Sequence, residues 1–159
     1  EPRDGGTALW RLSIAEVTKS GPFSDFSGYA RTIMLIEGRG FVLDFDGQPS
    51  KRIDRLYEPF PFDGGWKTDC TLIDGPVRDF NLMAARDAAT AELTVARLER
   101  GGVQIAAAPT VVFHALEGDV SVSSHGLPQG ETVRIDAPLL PLSLDALESA
   151  IVAVIRIGG

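Results

Sequence analysis

This sequence is poor in the residues that build disulfides and metal sites. Cys70 is the only cysteine, and His114 and His125 are the only histidines in 159 residues. A lone cysteine excludes an intrachain disulfide, and nothing else indicates an oxidising compartment, so we expect a cytoplasmic protein. Two histidines alone do not supply the ligands of a closed or catalytic zinc or iron site.

Basic residues and long apolar runs are scarce as well. The chain has 15 basic and 22 acidic residues, a formal net charge of −7. A phosphate backbone is bound by a basic stripe, so we predict no nucleic-acid partner. No apolar run approaches the roughly 20 residues that a membrane helix needs, so we predict no membrane partner. With 44% hydrophobic and 23% charged residues, the composition is that of one ordinary globular domain.

Alternation with a period of two recurs along the chain and predicts an all-β fold. Clusters of the turn-forming residues Gly, Pro, Asp and Ser separate the alternating runs, as in a β-barrel or β-sandwich. Short helices of at most two turns are plausible in two places, the Ala-rich stretch 81–90 and residues 144–149 after a potential cap at Ser143. The predicted strands lie near 10–15, 29–36, 41–45, 69–73, 92–98, 110–116, 119–123, 132–136 and 151–157.

A weak internal repeat appears at an offset of 80 residues. LIEGRGFVL at 35–43 aligns with ALEGDVSVS at 115–123, matching Glu37-Gly38 to Glu117-Gly118. One short match is poor evidence for duplication, but a strand-like run precedes each copy.

Four segments resemble one known family. They are WRLSIAEV (10–17), GPFSDFSGYARTIMLIEGRG (21–40), FPFDG (60–64) and LIDGPVRDFNLMAAR (72–86). In this order they are similar to the HutD/Ves family, small bacterial cupin-like proteins that include members associated with histidine utilisation. The match is much looser from Asp87 onward. Family members usually carry a W-K-N-G-G-G-x-T segment just upstream, so we expect that part of the N-terminus, and of any site, is missing.

The resemblance implies a bicupin, two cupin-like antiparallel β-barrel halves in one domain with minimal helix. We place the first half at about 1–86 and the second at about 87–159, interlocked rather than separable. Most cupins bind metal through two histidines one residue apart, a nearby carboxylate and a later histidine. The expected position reads YARTIMLIE and has no histidine. We therefore predict a protein without metal or other cofactor, in which His114 is structural and His125 is a turn residue.

Arg31 is the first candidate for ligand binding. On one strand it shares a face with Ile33 and Leu35, so its guanidinium is expected to point into the barrel. A buried arginine needs an anion, and two sources remain open. One is an internal carboxylate such as Asp79, Asp44 or Glu37; the other is a ligand carboxylate held by the guanidinium fork.

The segment 72–86 and the loop GPFSDFSG supply the remaining candidates. Asn81 offers a hydrogen-bond donor and an acceptor. If the segment is extended, Asp79 points to the same face as Asn81. Either they tie this segment to neighbouring backbone, or they meet a ligand together with Arg31 and Arg78. Phe23, Ser24 and Phe26 either form an aromatic lip over the barrel mouth or plug the core. We expect the largest pocket at that mouth, lined by 23–31 and 72–86.

We assign no catalytic residue. The leading hypothesis is a non-enzymatic small-molecule-binding or regulatory protein, and the resemblance suggests an acidic histidine-degradation intermediate of the formylglutamate type as ligand. The first alternative is a metal-independent cupin enzyme, an isomerase or hydrolase acting on a small carboxylate through His114, Asp79 or Glu37. A second is a protein-interaction role of exposed loops. The sequence leaves the oligomeric state open.

Overall fold

The computed structural model describes residues 8–159 as strands and turns, with no helix in that range. The chain divides into two compact units, Glu1–Ala89 and Thr90–Gly159. The first unit contains β1 (Trp10–Val17), β2 (Gly21–Pro22), β3 (Tyr29–Glu37), β4 (Phe41–Phe45), β5 (Lys51–Ile53), β6 (Phe60–Asp63), β7 (Thr68–Leu72) and β8 (Val77–Ala85). The second contains β9 (Thr90–Leu98), β10 (Gly101–Ile105), β11 (Thr110–Glu117), β12 (Val120–Val122), β13 (His125–Leu127), β14 (Thr132–Asp136), β15 (Leu142–Ala146) and β16 (Ala150–Gly158).

Within residues 8–159, each unit forms two four-stranded antiparallel sheets. In the first unit the strand orders are β1-β8-β3-β6 and β2-β7-β4-β5, and in the second they are β9-β16-β11-β14 and β10-β15-β12-β13. The second unit therefore repeats the first, strand for strand, eight elements later. The all-β prediction is confirmed.

The short sequence repeat corresponds to the same β-bulge in both units. The extra residue that follows Leu35 in β3 shifts the register with β8, and the one that follows Ala115 in β11 shifts the register with β16. Gly38 and Gly118 then take positive φ angles of 97° and 70°. A bulge followed by a left-handed glycine thus ends the central strand pairing of each unit.

A separate apolar core fills each unit. In the first, Ile33 and Leu35 of β3 pack with Phe41 and Leu43 of β4, so the core lies between the two sheets. The second unit has an equivalent cluster around Phe113 and Leu144. Burying these side chains provides the main driving force for folding.

Both predicted helices are wrong. Residues 77–85 form the strand between β1 and β3, where nearly every side chain is buried and the period-two signal disappears. Only one tight turn follows, in which the Ala88 and Ala89 amides donate to the Ala85 carbonyl. Residues 142–146 pair with β10 and β12 as a strand. Tertiary pairing thus overrides local helix propensity at both places.

Two earlier expectations concern how the chain is divided. The structural boundary at 89/90 lies close to the predicted boundary near 86, while the interlocking of the halves in one domain stays a prediction. Residues 1–7, which the predicted first half includes, lie outside the described range.

Between residues 8 and 159 there is no helix long and apolar enough to cross a bilayer.

Candidate functional site

The sheet β1-β8-β3-β6 places its polar residues in register on one face. Across β1, β8 and β3, one row contains Ser13, Asn81 and Ile33, and the next contains Ala15, Asp79 and Leu35. A third row contains Arg11, Met83 and Arg31. Because neighbours in a row point to the same side of a sheet, these side chains face one space inside the unit.

Ile33 and Leu35 belong to the apolar core, and the polar residues of these rows line an adjoining cavity of about 210 Å³. It is bordered by β1, β3, β8 and the loop before β3, with lining residues Arg11, Ser13, Ala15, Val17, Phe23, Ser24, Phe26, Arg31, Asp79, Asn81 and Met83. All the predicted site residues except Arg78 meet here. The contribution of β1 was missed, although Arg11, Ser13 and Ala15 already alternate with apolar residues in the sequence.

Arg31, Asn81 and Asp79 form a buried chain of polar contacts. Their exposed fractions are 6%, 6% and 1%. Arg31 Nη2 donates to Asn81 Oδ1 at 2.9 Å, and Asn81 Nδ2 donates to Asp79 Oδ1. The amide thus links the guanidinium to the carboxylate. Of the internal carboxylates considered for Arg31, only Asp79 lies here, since Asp44 and Glu37 are exposed.

Aromatic rings surround the Arg31 guanidinium. Its Cζ lies 5.5, 5.0 and 4.9 Å from the ring centroids of Phe23, Phe26 and Phe62. Such cation–π contacts favour the cation and also exclude water from it. Among the described residues, Arg31 has only the hydrogen bond to Asn81, and its buried Nε has no acceptor. Most of the donor capacity of the guanidinium is therefore unused by the protein.

The loop that carries Phe23 and Phe26 is anchored by backbone bonds. The Phe23 amide donates to the Thr68 carbonyl at 2.8 Å, and the Phe26 amide donates to the Gly64 carbonyl at 2.9 Å. A Cβ on Gly64 would lie 2.6 Å from the Phe26 oxygen, so only glycine permits this approach. The two rings are consequently held over Arg31, while Ser24 is exposed at the rim of the cavity.

Arg78 does not join this cluster. It has the opposite parity from Asp79 on β8, is about half exposed, and pairs with Glu37 at 3.2 Å. Its predicted role in ligand binding therefore lacks geometric support, because adjacent residues of a strand point to opposite faces.

Burial alters the acid–base properties of the cluster. It raises the pKa of the Asp79 carboxyl to about 6, although the Arg31 charge and the Asn81 hydrogen bond both oppose that rise. Burial also lowers the pKa of Arg31, an effect that the Asp79 charge partly offsets. The pKa of the buried Cys70 thiol rises to about 11, because of burial and then of the Asp79 charge. Cys70 is therefore a poor nucleophile at neutral pH.

The raised pKa of Asp79 predicts a pH-dependent stability. Between 3.8 and about 6 the folded protein binds this proton more readily than the unfolded chain, so stability falls as the pH rises through that window. From pH 4.5 to pH 7 the loss amounts to about 2 kcal/mol. Urea unfolding of the parent and of Asp79→Asn at both pH values measures it. The difference in unfolding free energy between them should move by that amount in favour of the parent at pH 4.5, and a constant difference would contradict the assignment.

The two histidines and potential metal ligands lie elsewhere. His114 is buried on β11 with its Nδ1 2.8 Å from Thr132 Oγ1, which agrees with the structural role predicted for it. His125 follows two residues with positive φ and begins β13, so the predicted turn ends one residue earlier. Across residues 8–159, no group of three or more His, Cys, Asp or Glu side chains is arranged to hold a metal ion.

The Arg31 cavity is not the largest, and that expectation was wrong. A cavity of about 390 Å³ lies in the second unit, with an almost entirely apolar lining that includes Val122, Leu127 and Leu142. The smaller cavity of the first unit is lined by the rings of Phe23 and Phe26 and by the Arg31 guanidinium. The second unit also exposes Leu139 and Leu140 in the segment between β14 and β15, which bears on the interaction alternative.

The two units differ sharply at the position of the polar cluster. The matching bulges align Leu35 and Asp79 with Ala115 and Val152. By the same register, the residues equivalent to Arg31 and Asn81 are Val111 and Val154. These three valines are buried in the core of the second unit. The same strand arrangement therefore forms without any polar group at these positions.

These paired antiparallel sheets define a cupin-like protein. A cupin 2 conserved barrel domain protein from Leptotrichia buccalis has the same fold, with a TM-score of 0.66 over 96% of this chain and 85% of that one. Its 11% identity supports the fold alone.

The chain belongs to the HutD family, whose model matches residues 1–152. HutD from Pseudomonas fluorescens SBW25, in a formate condition, is 33% identical with a TM-score of 0.81, covering 99% of this chain and 86% of that one. An uncharacterised 21.2 kDa Pseudomonas putida protein in the hutC 3′ region is 39% identical over 132 residues, 78% of this chain. The match spans 66% of that protein and 46% of protein Ves from Citrobacter koseri, which is 36% identical.

Proposed function

We propose that this HutD-family chain is a non-enzymatic binding or regulatory protein that holds a small carboxylate in the Arg31 cavity. The observation that carries the proposal is the comparison of the two units. Arg31, Asp79 and Asn81 occupy positions that valines fill in the second unit. Because the same fold closes with apolar residues there, folding alone does not account for the polar cluster.

The energetic cost of the cluster supports a ligand. Burying charged groups costs several kcal/mol per ion, and a buried ion pair is often no better than apolar residues of similar volume. Arg31 is also held with most of its N–H groups unused. A carboxylate, which accepts two parallel hydrogen bonds from a guanidinium, matches those donors in charge and geometry.

Arg11 supports a ligand with two carboxylates. Among the described residues, arginines that form ion pairs with Asp or Glu include Arg39, Arg52, Arg55, Arg78, Arg86, Arg134 and Arg156. Arg11 and Arg31, which line the cavity, have no such pair within the described range. Arg11 of β1 and Arg31 of β3 lie opposite Met83 on the two sides of β8, so their Cα atoms are about 10 Å apart. Arg11 is exposed at the rim, so an inner and an outer carboxylate each have a cation.

The family resemblance suggests the identity of such a ligand. N-formyl-L-glutamate represents the acidic intermediates of histidine degradation and has two carboxylates. Both are ionised above pH 6, since carboxyl groups of this kind titrate near pH 3.3 to 4.3. We therefore use it as the first probe, with glutarate as a simpler dicarboxylate.

The decisive experiment compares acids with a neutral analogue. At 100 times its dissociation constant, N-formylglutamate or glutarate should stabilise the fold by roughly 2.7 kcal/mol. We expect the melting temperature to rise by roughly 5 to 11 °C. Glutaramide, which has the same carbon skeleton without charge, should produce no rise at equal concentration. The surface control Arg100→Ala should respond like the parent. An equal response to glutaramide, or none to any acid, would refute carboxylate binding.

A second candidate function rests on Asp79. A carboxyl group with a pKa near 6 that faces a cavity beside an anion-binding arginine fits a general acid or base. Neither Glu37, which pairs with Arg78, nor His114, which bonds Thr132, lines this cavity. In the enzyme alternative, an isomerase or hydrolase acting on a small carboxylate, Asp79 is therefore the remaining candidate for the general acid or base.

Turnover separates the two candidates. Incubation of N-formylglutamate or glutarate with the protein, followed by NMR, should return the compound unchanged if the protein only binds. Conversion that disappears in Asp79→Asn would favour the enzyme.

A further inference from the structure

Asp79 carries a negative charge into the cavity proposed to bind an anion. Its carboxyl group is buried, lines the same cavity as Arg31, and accepts a hydrogen bond from the Asn81 amide that Arg31 also contacts. This inference rests on the proposed function, because it concerns what happens to Asp79 when a carboxylate enters.

The groups that face Asp79 determine the charge balance. They are Arg31 of β3, the thiol of Cys70 on β7, and Arg11 of β1 at the exposed rim. The loop before β3 contributes only Phe23, Phe26 and the neutral Ser24. Among the residues that the structure describes, Asp79 is therefore the buried group that balances the Arg31 cation.

A ligand carboxylate on Arg31 disturbs this balance. Two carboxylates would then share one buried cation, and like charges so close together favour protonation of one of them. The ligand is held by the guanidinium fork, whereas Asp79 is the more deeply buried group. Protonation of Asp79 leaves one cation and one anion in the cavity, and gives its carboxyl group an O–H donor.

We propose that the carboxylate ligand binds together with one proton, which is taken from solvent and carried by Asp79. Asp79 is then a residue that tunes affinity and specificity rather than a catalytic group. Binding is strongest where Asp79 is already protonated and weakens as the pH rises.

The titration behaviour of the unliganded protein supports the proposal. Burial holds the pKa of Asp79 at about 6, so at neutral pH the group is ionised yet close to protonation. A bound anion raises that pKa further. Between the two values the apparent affinity falls by up to tenfold per pH unit, because each binding event takes up one proton.

Calorimetric titration with N-formylglutamate tests the proposal. At pH 7, binding should be measured in phosphate and in Tris, whose heats of ionisation differ. We expect the difference in binding heat to correspond to the uptake of nearly one proton. The dissociation constant should increase by up to tenfold between pH 6.5 and pH 7.5, where the ligand carboxylates remain ionised. Asp44→Asn, which removes an exposed carboxylate of β4, should retain both effects.

Asp79→Asn provides the critical comparison. Its dissociation constant should be the same at pH 6.5 and pH 7.5, and its binding heat should not depend on the buffer. If the parent binds without proton uptake, or if uptake persists in Asp79→Asn, the proton assignment is wrong while carboxylate binding stands. If neither N-formylglutamate nor glutarate binds between pH 5.5 and pH 8, both the inference and the proposed function fail.

Discussion

Replacing Arg31 by methionine should weaken N-formylglutamate binding by about 30-fold or more, because truncating one partner of a buried charge pair costs at least about 2 kcal/mol. Methionine retains much of the length of the side chain and can fill the space between the phenyl rings. The loss should therefore come from the missing charge and donors. Titration calorimetry of the parent, of Arg31→Met and of the surface control Arg100→Ala measures it.

Arg31→Met should also destabilise the unliganded protein, because Asp79 remains buried without its cation. We expect a loss of about 3 kcal/mol at pH 8. At pH 5 the loss should be smaller, since Asp79 is then neutral. Urea unfolding at both pH values measures the difference.

A triple variant separates folding from binding. Arg31→Met combined with Asp79→Val and Asn81→Val places apolar residues where the second unit has valines. This variant should regain the stability lost in Arg31→Met and still fail to bind. If the parent does not bind an acidic ligand while Arg31→Met is strongly destabilised, Arg31 belongs to an internal ion pair and the site assignment is wrong. If Arg31→Met binds like the parent, Arg31 is not the ligand's cation.

The second large effect is expected at the bulges. Gly38 has a φ of 97°, and a Cβ on it would lie 2.6 Å from the Pro76 carbonyl oxygen. Gly38→Ala therefore combines the left-handed penalty of about 1 to 2 kcal/mol with a backbone clash of about 1 to 3 kcal/mol. We expect a total destabilisation of about 3 kcal/mol by urea unfolding. Gly118→Ala should behave alike, because its Cβ would lie 2.6 Å from the Ser149 oxygen.

Gly75→Ala is the matched control. Gly75 has a φ of 73°, but a Cβ there would meet nothing within 4 Å. It should lose only the left-handed penalty, so the difference between the variants isolates the clash. If Gly38→Ala and Gly75→Ala are equally destabilised, the close approach of the backbone at the bulge does not constrain the fold.

Much of the fold was predictable because one buried face leaves a local mark on the sequence. The alternation in 29–36, 41–45 and 110–116 correctly located β3, β4 and β11. The sequence did not predict β8 as a strand, because both of its faces are buried and the alternation is lost. The alanines near its end are also typical of a helix. The sequence showed the repeat only as the short match of 35–43 to 115–123, which includes Glu37-Gly38 and Glu117-Gly118 at the bulges. Elsewhere many apolar side chains satisfy the same packing.

For the site, the sequence by itself determined which side chains of a strand point to the same face. It aligned Arg31 with Ile33 and Leu35, and it gave Asp79 and Asn81 the same side-chain direction on the condition that their segment is extended. Only the tertiary structure decided which strands become neighbours, and so brought Arg11 and Phe62 to Arg31 and left Arg78 on the opposite face. Side-chain direction along a strand is a local property of the backbone, whereas strand pairing joins residues distant in the chain. The burial of Asp79 is a consequence of that pairing, and the raised pKa of its carboxyl group follows from the burial.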